Sequence, residues 1–460
     1  MSAGHPYTSQ RLSYRFLFAA GVVLLLGISA GTLGAIQFGW AGEGFLGDVL
    51  PFYKLRPLHV TFVIAWLFVA SMGGLFYALP EVSRRELYSV RLGKWQFWIM
   101  TWTGLGILAT YGAGIFSGRE YFNFWPPFAL AILVAWALFC INVFKTIKGR
   151  LDRWPVYLWM WVTGLVVFVY TFLEGHLWLL PFFRDNIARD LTVQWKSYGS
   201  FIGSWNMLIY GLLFYLMQRL EGEGDQKLGY RRVDFFFYWL ALANLMFGIG
   251  HHTYHVPQSL VIRYLGFGVS MTESIVLVKI IADWAALFRK KPWAIQGSQQ
   301  IPFLFVLAAT LWLVLNLILA LLFSIPLINS LTHGTHVTVA HAMGSTIGIN
   351  SLILWAVGFF ILTENGEPLS PRIKRFIWWG FWMVNLCLLV FWIDLIALGL
   401  VRGVATIDGL SFYSIVEKTR IYMQIFAVSG IGLFLGMILL LSQWFPLILR
   451  RHREAMSAVG

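Results

Sequence analysis

Apolar residues in this chain come in long runs broken by short polar stretches. A run of about 20 apolar residues crosses a bilayer as a helix whose backbone polar groups bond to one another. The pattern predicts helices near residues 15–40, 57–80, 93–116, 125–146, 155–180, 197–218, 233–254, 265–288, 301–325, 335–363, 375–400 and 420–447. The run at 265–288 is the least regular, because it holds Glu273, Lys279 and Asp283. The expected fold is all-α: a polytopic membrane bundle of about twelve helices, one transmembrane domain over residues 1–460, with almost nothing outside the bilayer.

Composition narrows the class. Charged residues make up 12% of the chain and hydrophobic ones 58%, whereas a soluble domain carries about 25% charged residues. The net charge of +13 would point to nucleic acid in a soluble protein. Here the distribution of positive charge across the membrane accounts for it, and no nucleic-acid partner is expected. Alternate loops read Arg84-Arg85-Arg91-Lys94, Lys145-Lys148-Arg150-Arg153, Arg219-Lys227-Arg231-Arg232, Arg289-Lys290-Lys291 and Arg372-Lys374-Arg375. Arg11, Arg15, Arg450, Arg451 and Arg453 near the termini join the same side. Both termini are therefore expected in the cytoplasm; the expected location is the inner membrane of a prokaryote. No cleavable signal is expected, since the first apolar run is too long and no small-residue site follows it. Cys140 and Cys387 each lie alone within an apolar run and read as packing residues. No C-x-x-C-H occurs, so no covalent c-type haem is expected on this chain.

Histidine placement carries the chemistry. His59, His176, His251, His252, His255, His333, His336 and His341 all fall in apolar runs, or at their edges, on the non-cytoplasmic half. Ionisable residues there are costly and mark functional sites, and clustered imidazoles suit iron or another transition metal. Adjacent His251 and His252 can share a metal only where the helix is distorted, which Gly248, Gly250 and Pro257 permit. His341 and Met343 stand two positions apart, about 200° around a helix, so they project to opposite sides. One helix could thus serve two haems, since Met is also an axial ligand. Met343 as a packing residue is the alternative. Glu174 and His176 read as a structural pair bonding to neighbours.

These residues resemble the catalytic subunit of the haem–copper oxidase superfamily, and most of all the large subunit of cytochrome-c-dependent nitric oxide reductases. The resemblance rests on Arg56-Pro57-Leu58-His59, Gly118-Arg119-Glu120, Gly250-His251-His252 and Thr332-His333-Gly334-Thr335 followed by Val339-Ala340-His341. It implies two b-type haems. One is high-spin and held by His341; the other is low-spin, with His59 and, through the departure described next, Met343 as its ligands. It also implies a non-haem iron or copper on His251 and His252, Glu273 near the metals, and Glu120 as a candidate calcium ligand near the haem propionates. Arg119 could neutralise Glu120 instead. A membrane-anchored cytochrome c subunit would supply electrons.

The departures matter as much. The sixth helix, Gln194 to Asn206, has neither histidine nor carboxylate, and Tyr198, Ser200 or Asn206 is expected where relatives place them. Met343 stands at the second tenth-helix histidine. The two turns before His251 hold no Tyr, which disfavours oxygen reduction. The function implied is nitric oxide reduction. The alternatives are a divergent terminal oxidase, or a haem-bearing paralogue with an incomplete second metal that binds a gas or converts nitric oxide otherwise. A transporter would explain the helices but not the histidines.

Overall fold

The computed structural model describes residues 7–40, 47, 49–221, 229–289, 299–364 and 369–457. Lys227, Lys290 and Lys291 of the charge pattern lie outside them. Among the described residues every regular element is helical, and twelve long stretches account for the bundle. They are Arg11–Gly39, Phe52–Ser83, Val90–Gly112, Pro127–Ile147, Val156–Glu174 and Ile187–Glu221, then Arg232–Phe247, Leu260–Met271 with Glu273–Arg289, and Gln300–Ser324. The tenth is His336–Met343 continuing through Gly344–Ser351 into Leu352–Thr363, and Pro371–Ile407 and Phe412–Ser457 follow. They are called the first to twelfth helices below. Eleven are long and apolar enough to cross a membrane. The third is not among the eleven, as its composition is rich in Trp, Gly and Thr.

Three helices form the interior. The second is buried almost continuously from Trp66 to Pro80, and the tenth is buried at every position from Leu352 to Thr363. The sixth contributes Trp205, Leu208, Ile209, Leu212 and Leu216, each fully buried. A helix apolar on all sides belongs inside a bundle. Close approach depends on small residues: a Cβ on Gly358 would lie 2.0 Å from the Trp444 ring, and one on Gly74 2.8 Å from Leu212. The first and last helices are neighbours, joined by Trp444 Nε1, which donates to Leu17 O at 3.0 Å.

Two helices depart from the expected outline. The sixth begins at Ile187, well before residue 197, because its polar first turns find partners: Asp190 pairs with Arg119 at 2.9 Å and Lys196 with Glu174 at 2.6 Å. The eighth is two helices that meet at Thr272. At the end of the second helix away from His59, Arg219 binds both Glu81 and Glu364, Tyr77 donates to Glu364 at 2.8 Å, and Gln10 donates to Glu81 at 3.2 Å. Opposite charges satisfy one another where the bundle closes.

Candidate haem and metal centre

His59 lies two turns into the second helix, and its Nδ1 is 2.8 Å from Gly27 O on the first. A carbonyl only accepts, so Nδ1 carries the proton and Nε2 is the basic nitrogen. Metal-ligating histidines are held this way. Gly31 makes the approach possible, since a Cβ there would stand 2.4 Å from His59 Nδ1.

The seventh helix ends at Phe247 and tightens into a 3-10 turn, Gly248–Thr253. Gly250 packs directly on Gly266, with room for no Cβ. The distortion that the glycines and Pro257 permit is therefore present. It brings the rings of His251 and His252 to 4.2 Å between centres. His251 Nδ1 lies 3.0 Å from Ser270 Oγ, which itself donates to Gly266 O. The hydroxyl's proton is committed, so Nδ1 donates and the tautomer is fixed.

A short helix, Pro326–Thr332, precedes the tenth. Between them His333 and Gly334 form a turn, with Gly334 at φ +77°, a conformation that favours glycine. Thr335 caps the tenth helix, its side chain accepting from Val337 N. His341 and Met343 both fall within regular helix, so they do face opposite sides. Gly344–Ser351 then widens into a π-helix, a form found mostly at functional sites.

Phe323 ties these groups together. Its ring centre is 5.4 Å from that of His251, 6.1 Å from His252 and 5.0 Å from His341. Three imidazoles from two helices thus surround one phenyl ring. The buried Nδ1 of His252 and Nε2 of His333 have no hydrogen-bond partner among the described residues. A buried imidazole nitrogen without a partner is costly to a protein and suited to a metal. The donor chemistry fits haem iron and a second transition metal. No three His, Cys, Asp or Glu side chains among the described residues share a point that could hold an ion.

The residue that meets these imidazoles from the sixth helix is Trp195, not Tyr198, Ser200 or Asn206. Its indole lies 6.1 Å from His252 and 5.2 Å from His333. Tyr198 turns instead to Tyr121 and Phe122, at 5.3 and 5.5 Å. Asn206 accepts from Asn350 at 3.0 Å. Glu273 opens the second half of the eighth helix. Glu120 pairs with Arg56 at 2.6 Å, while Arg119 pairs with Asp190 and lies over the Trp178 ring. The cation beside Glu120 is thus Arg56, not its chain neighbour. Glu174 binds Lys196, and His176 Nδ1 donates to Phe172 O at 2.7 Å, within a group of phenyl rings.

The sequence of residues 11–432 matches the family described as cytochrome c and quinol oxidase polypeptide I. The chain belongs to this family. As a member of the haem–copper oxidase subunit I superfamily it is a multi-pass membrane protein of a group of respiratory oxidoreductases that hold haems and a copper or iron site. It is 22% identical to a nitric oxide reductase polypeptide of Stutzerimonas stutzeri, over 95% of each chain. It is 21% identical to the cbb3-type cytochrome c oxidase subunit CcoN1 of the same organism, over 94% of each. The fold superposes on a cryo-EM structure of a heme-copper terminal oxidase dimer with a TM-score of 0.73 at 14% identity, covering 96% of this chain and 84% of that one. For this member of the family, the sequence had marked the histidines but not Trp195 or Phe323. Trp195 fell outside the expected sixth run because Asp190, Gln194 and Lys196 depress the apolar pattern there.

Proposed function

We propose that this chain is the catalytic subunit of a nitric oxide reductase-like enzyme in the cytoplasmic membrane of a prokaryote, with both termini in the cytoplasm. The reaction is 2 NO + 2 e⁻ + 2 H⁺ → N₂O + H₂O. The observation that carries the reading is the gathering of His251, His252 and His341 around Phe323. His341 would hold a high-spin b-type haem, and His251 with His252 a non-haem iron or copper. His59 and Met343 would hold the low-spin haem. When bound, the two irons or iron and copper supply paired sites for nitric oxide and charge that stabilises the developing N–N anion. Confining both molecules between facing histidines turns a bimolecular coupling into a local one.

The protein's own groups do the rest. Glu273, in an apolar span at the start of the second half of the eighth helix, is the carboxyl for proton delivery. The Gly27 carbonyl and Ser270 hydroxyl orient His59 and His251. Arg56 neutralises Glu120, so a calcium ion there is not required. Electrons come from a membrane-anchored cytochrome c subunit, the chain having no C-x-x-C-H of its own. Tyr198, directed at Tyr121, is not aimed at the histidines, which counts against oxygen reduction.

One experiment tests the reading. The purified complex should contain two b-type haems and one non-haem metal per chain, and should form N₂O from nitric oxide with a reduced cytochrome c. Full haem content without nitric oxide turnover would overturn it. A second reading, a haem-bearing paralogue without the second metal, is favoured by the lack of three converged donors among the described residues. It predicts two haems and no further iron or copper.

A further inference from the structure

We infer that the arginine-lined cavity between the ends of the second, fifth and sixth helices seats the phosphate group of an anionic phospholipid, drawn from the leaflet on the side of the chain termini. The inference is independent of the reaction proposed above, since this cavity lies at the end of the second helix away from His59. Gln10, donating to Glu81, and Arg451, reaching the Glu364 carbonyl, put both ends of the chain on this face.

The cavity has a volume of about 540 Å³, and Arg84, Arg150, Arg153 and Arg219 line it together with Glu81 and Asp152. Arg219 is held by Glu81 and Glu364. Arg84, Arg150 and Arg153 pair with no carboxylate among the described residues, which leaves Asp152 to face them: three positive charges against one. Like charges gathered in one cavity repel unless an anion lies among them. Guanidinium forks match the paired oxygens of a phosphate ester, so the donor set selects that class of anion.

The donors are set in place by the backbone. Arg84 ends the second helix in the left-handed region, at φ 51° and ψ 40°, where glycine is the usual residue. An arginine at that strained position supplies the one thing a glycine cannot, a guanidinium at the rim. Arg153 Nη2 donates to Tyr230 O at 3.0 Å, and Val156 N donates to Gly229 O at 2.7 Å. The segment entering the seventh helix is thereby fastened to the start of the fifth. Burial raises the Tyr230 phenol, while Arg153 and Arg84 act in the opposite sense, so both cations stand within electrostatic reach of it. Tyr157, only 4% exposed, also lines the cavity, and its hydroxyl bonds to no described residue. Its proton is left for an occupant.

Depth favours a lipid over a soluble phosphate ester, which would meet the same guanidinium groups. The cavity lies where apolar helices give way to charged loops. Trp154, next to Arg153 in the chain, packs on Trp159 with ring centres 5.4 Å apart, and Trp159 is exposed on the fifth helix. Tryptophan collects at the level of lipid headgroups, and basic pockets between helices at that level take anionic ones.

The test uses the full-length protein with its haems, purified in detergent and washed free of lipid. Phosphatidylglycerol or phosphatidylcholine is added, and lipid bound per chain is read by native mass spectrometry. Circular dichroism and the optical spectrum report fold and haem. Wild type should retain phosphatidylglycerol in preference to phosphatidylcholine. Arg84→Gly, which keeps the left-handed turn, should weaken that retention about fivefold, as should Arg150→Ala, and the two together on the order of twentyfold. Fold and haem should be unchanged. Arg375→Ala, which removes an exposed charge from the same face outside the cavity, should have no effect. Equal retention of the two lipids by wild type overturns the inference, as does equal weakening in Arg375→Ala or full retention in the double variant. Glycerol phosphate is the soluble arm: if it binds the washed protein as tightly as phosphatidylglycerol does, the ligand is a soluble ester and the lipid assignment falls. None of these outcomes bears on nitric oxide turnover, so the reductase reading stands or falls separately.

Discussion

The indole of Trp195 lies parallel to the imidazole of His252, the two planes within 2° and their centres 6.1 Å apart. The sixth helix thus contributes a flat aromatic wall to the histidine cluster. Trp195→Ala should remove the surface that fixes the His252 ring. Haem content should stay unchanged while nitric oxide turnover falls at least about tenfold, as small misplacements at a reacting site cost that much. Trp195→Phe, which keeps a stacking face, should recover most of it. Equal turnover in the alanine variant would show that the wall plays no part.

Gly31 offers a remote handle on the low-spin site. A methyl group there meets His59 Nδ1 at 2.4 Å and would push the ring from its bond to Gly27 O. Gly31→Ala should therefore reproduce His59→Ala: the chain inserts, the low-spin haem signal is lost, and the high-spin signal remains. Gly34 is a suitable control, since a Cβ there meets Phe52 at an ordinary 3.5 Å. An unchanged low-spin spectrum in Gly31→Ala and His59→Ala would remove His59 as a ligand.

Met343 projects opposite His341 from the same turn of helix. A thioether is a weaker donor to ferric iron than imidazole and raises the reduction potential. The ferric spectrum should carry a weak far-red charge-transfer band. Met343→His should abolish that band and lower the low-spin potential in a redox titration. A bis-histidine spectrum in the wild type would make Met343 a packing residue.

How much of this was legible beforehand follows from what each residue needs. The apolar runs located the helices because a membrane leaves backbone groups no other partner. The glycines before His251 announced the distorted turn, and Gly250 lacks a Cβ where one would meet Gly266. Other features depended on partners far along the chain. The start of the sixth helix is polar in sequence, and becomes a buried helix end only when Arg119 and Glu174 meet Asp190 and Lys196. Arg56 rather than Arg119 reaches Glu120 because the third-to-fourth loop folds back over the second helix, at Tyr121 φ +63°. The π-helix at Gly344–Ser351 has no local signature in the sequence; Gly344 and Gly348 within it pack against Asn316 and Trp312 of the ninth helix, where no Cβ would fit.

Glu86, in the turn after the second helix, gives a pH-dependent prediction outside the membrane-spanning segments. It accepts from Thr8 N at 2.7 Å, Thr8 Oγ1 at 2.9 Å and Ser9 N at 2.9 Å. Burial pushes its carboxyl up, but the bonds from Ser9 and Thr8 together outweigh that and hold it below the usual carboxylate value. A carboxyl depressed on folding adds stability above its unfolded pKa and loses it as pH falls through its folded value. At neutral pH, Glu86→Ala should cost about 1 kcal/mol, the scale of a partly exposed charged hydrogen bond. Thermal unfolding in detergent should show this gap shrinking to nothing on the acid side of the carboxylate range. A gap that persists there would assign the loss to packing instead.

The hydrogen bond from Trp444 to Leu17 joins residues 427 positions apart. Translation at roughly 5–20 residues per second separates their synthesis by roughly 20–90 s. Throughout that interval the first helix sits in the bilayer with the groove for its eventual neighbour filled by lipid or by the insertion machinery. Arg451, made later still, then reaches back to the Glu364 carbonyl beside the Arg219 cluster. The first and twelfth helices close against one another only once Trp444 is made, so a nascent chain released before Trp444 would expose both edges of an open bundle to membrane quality control.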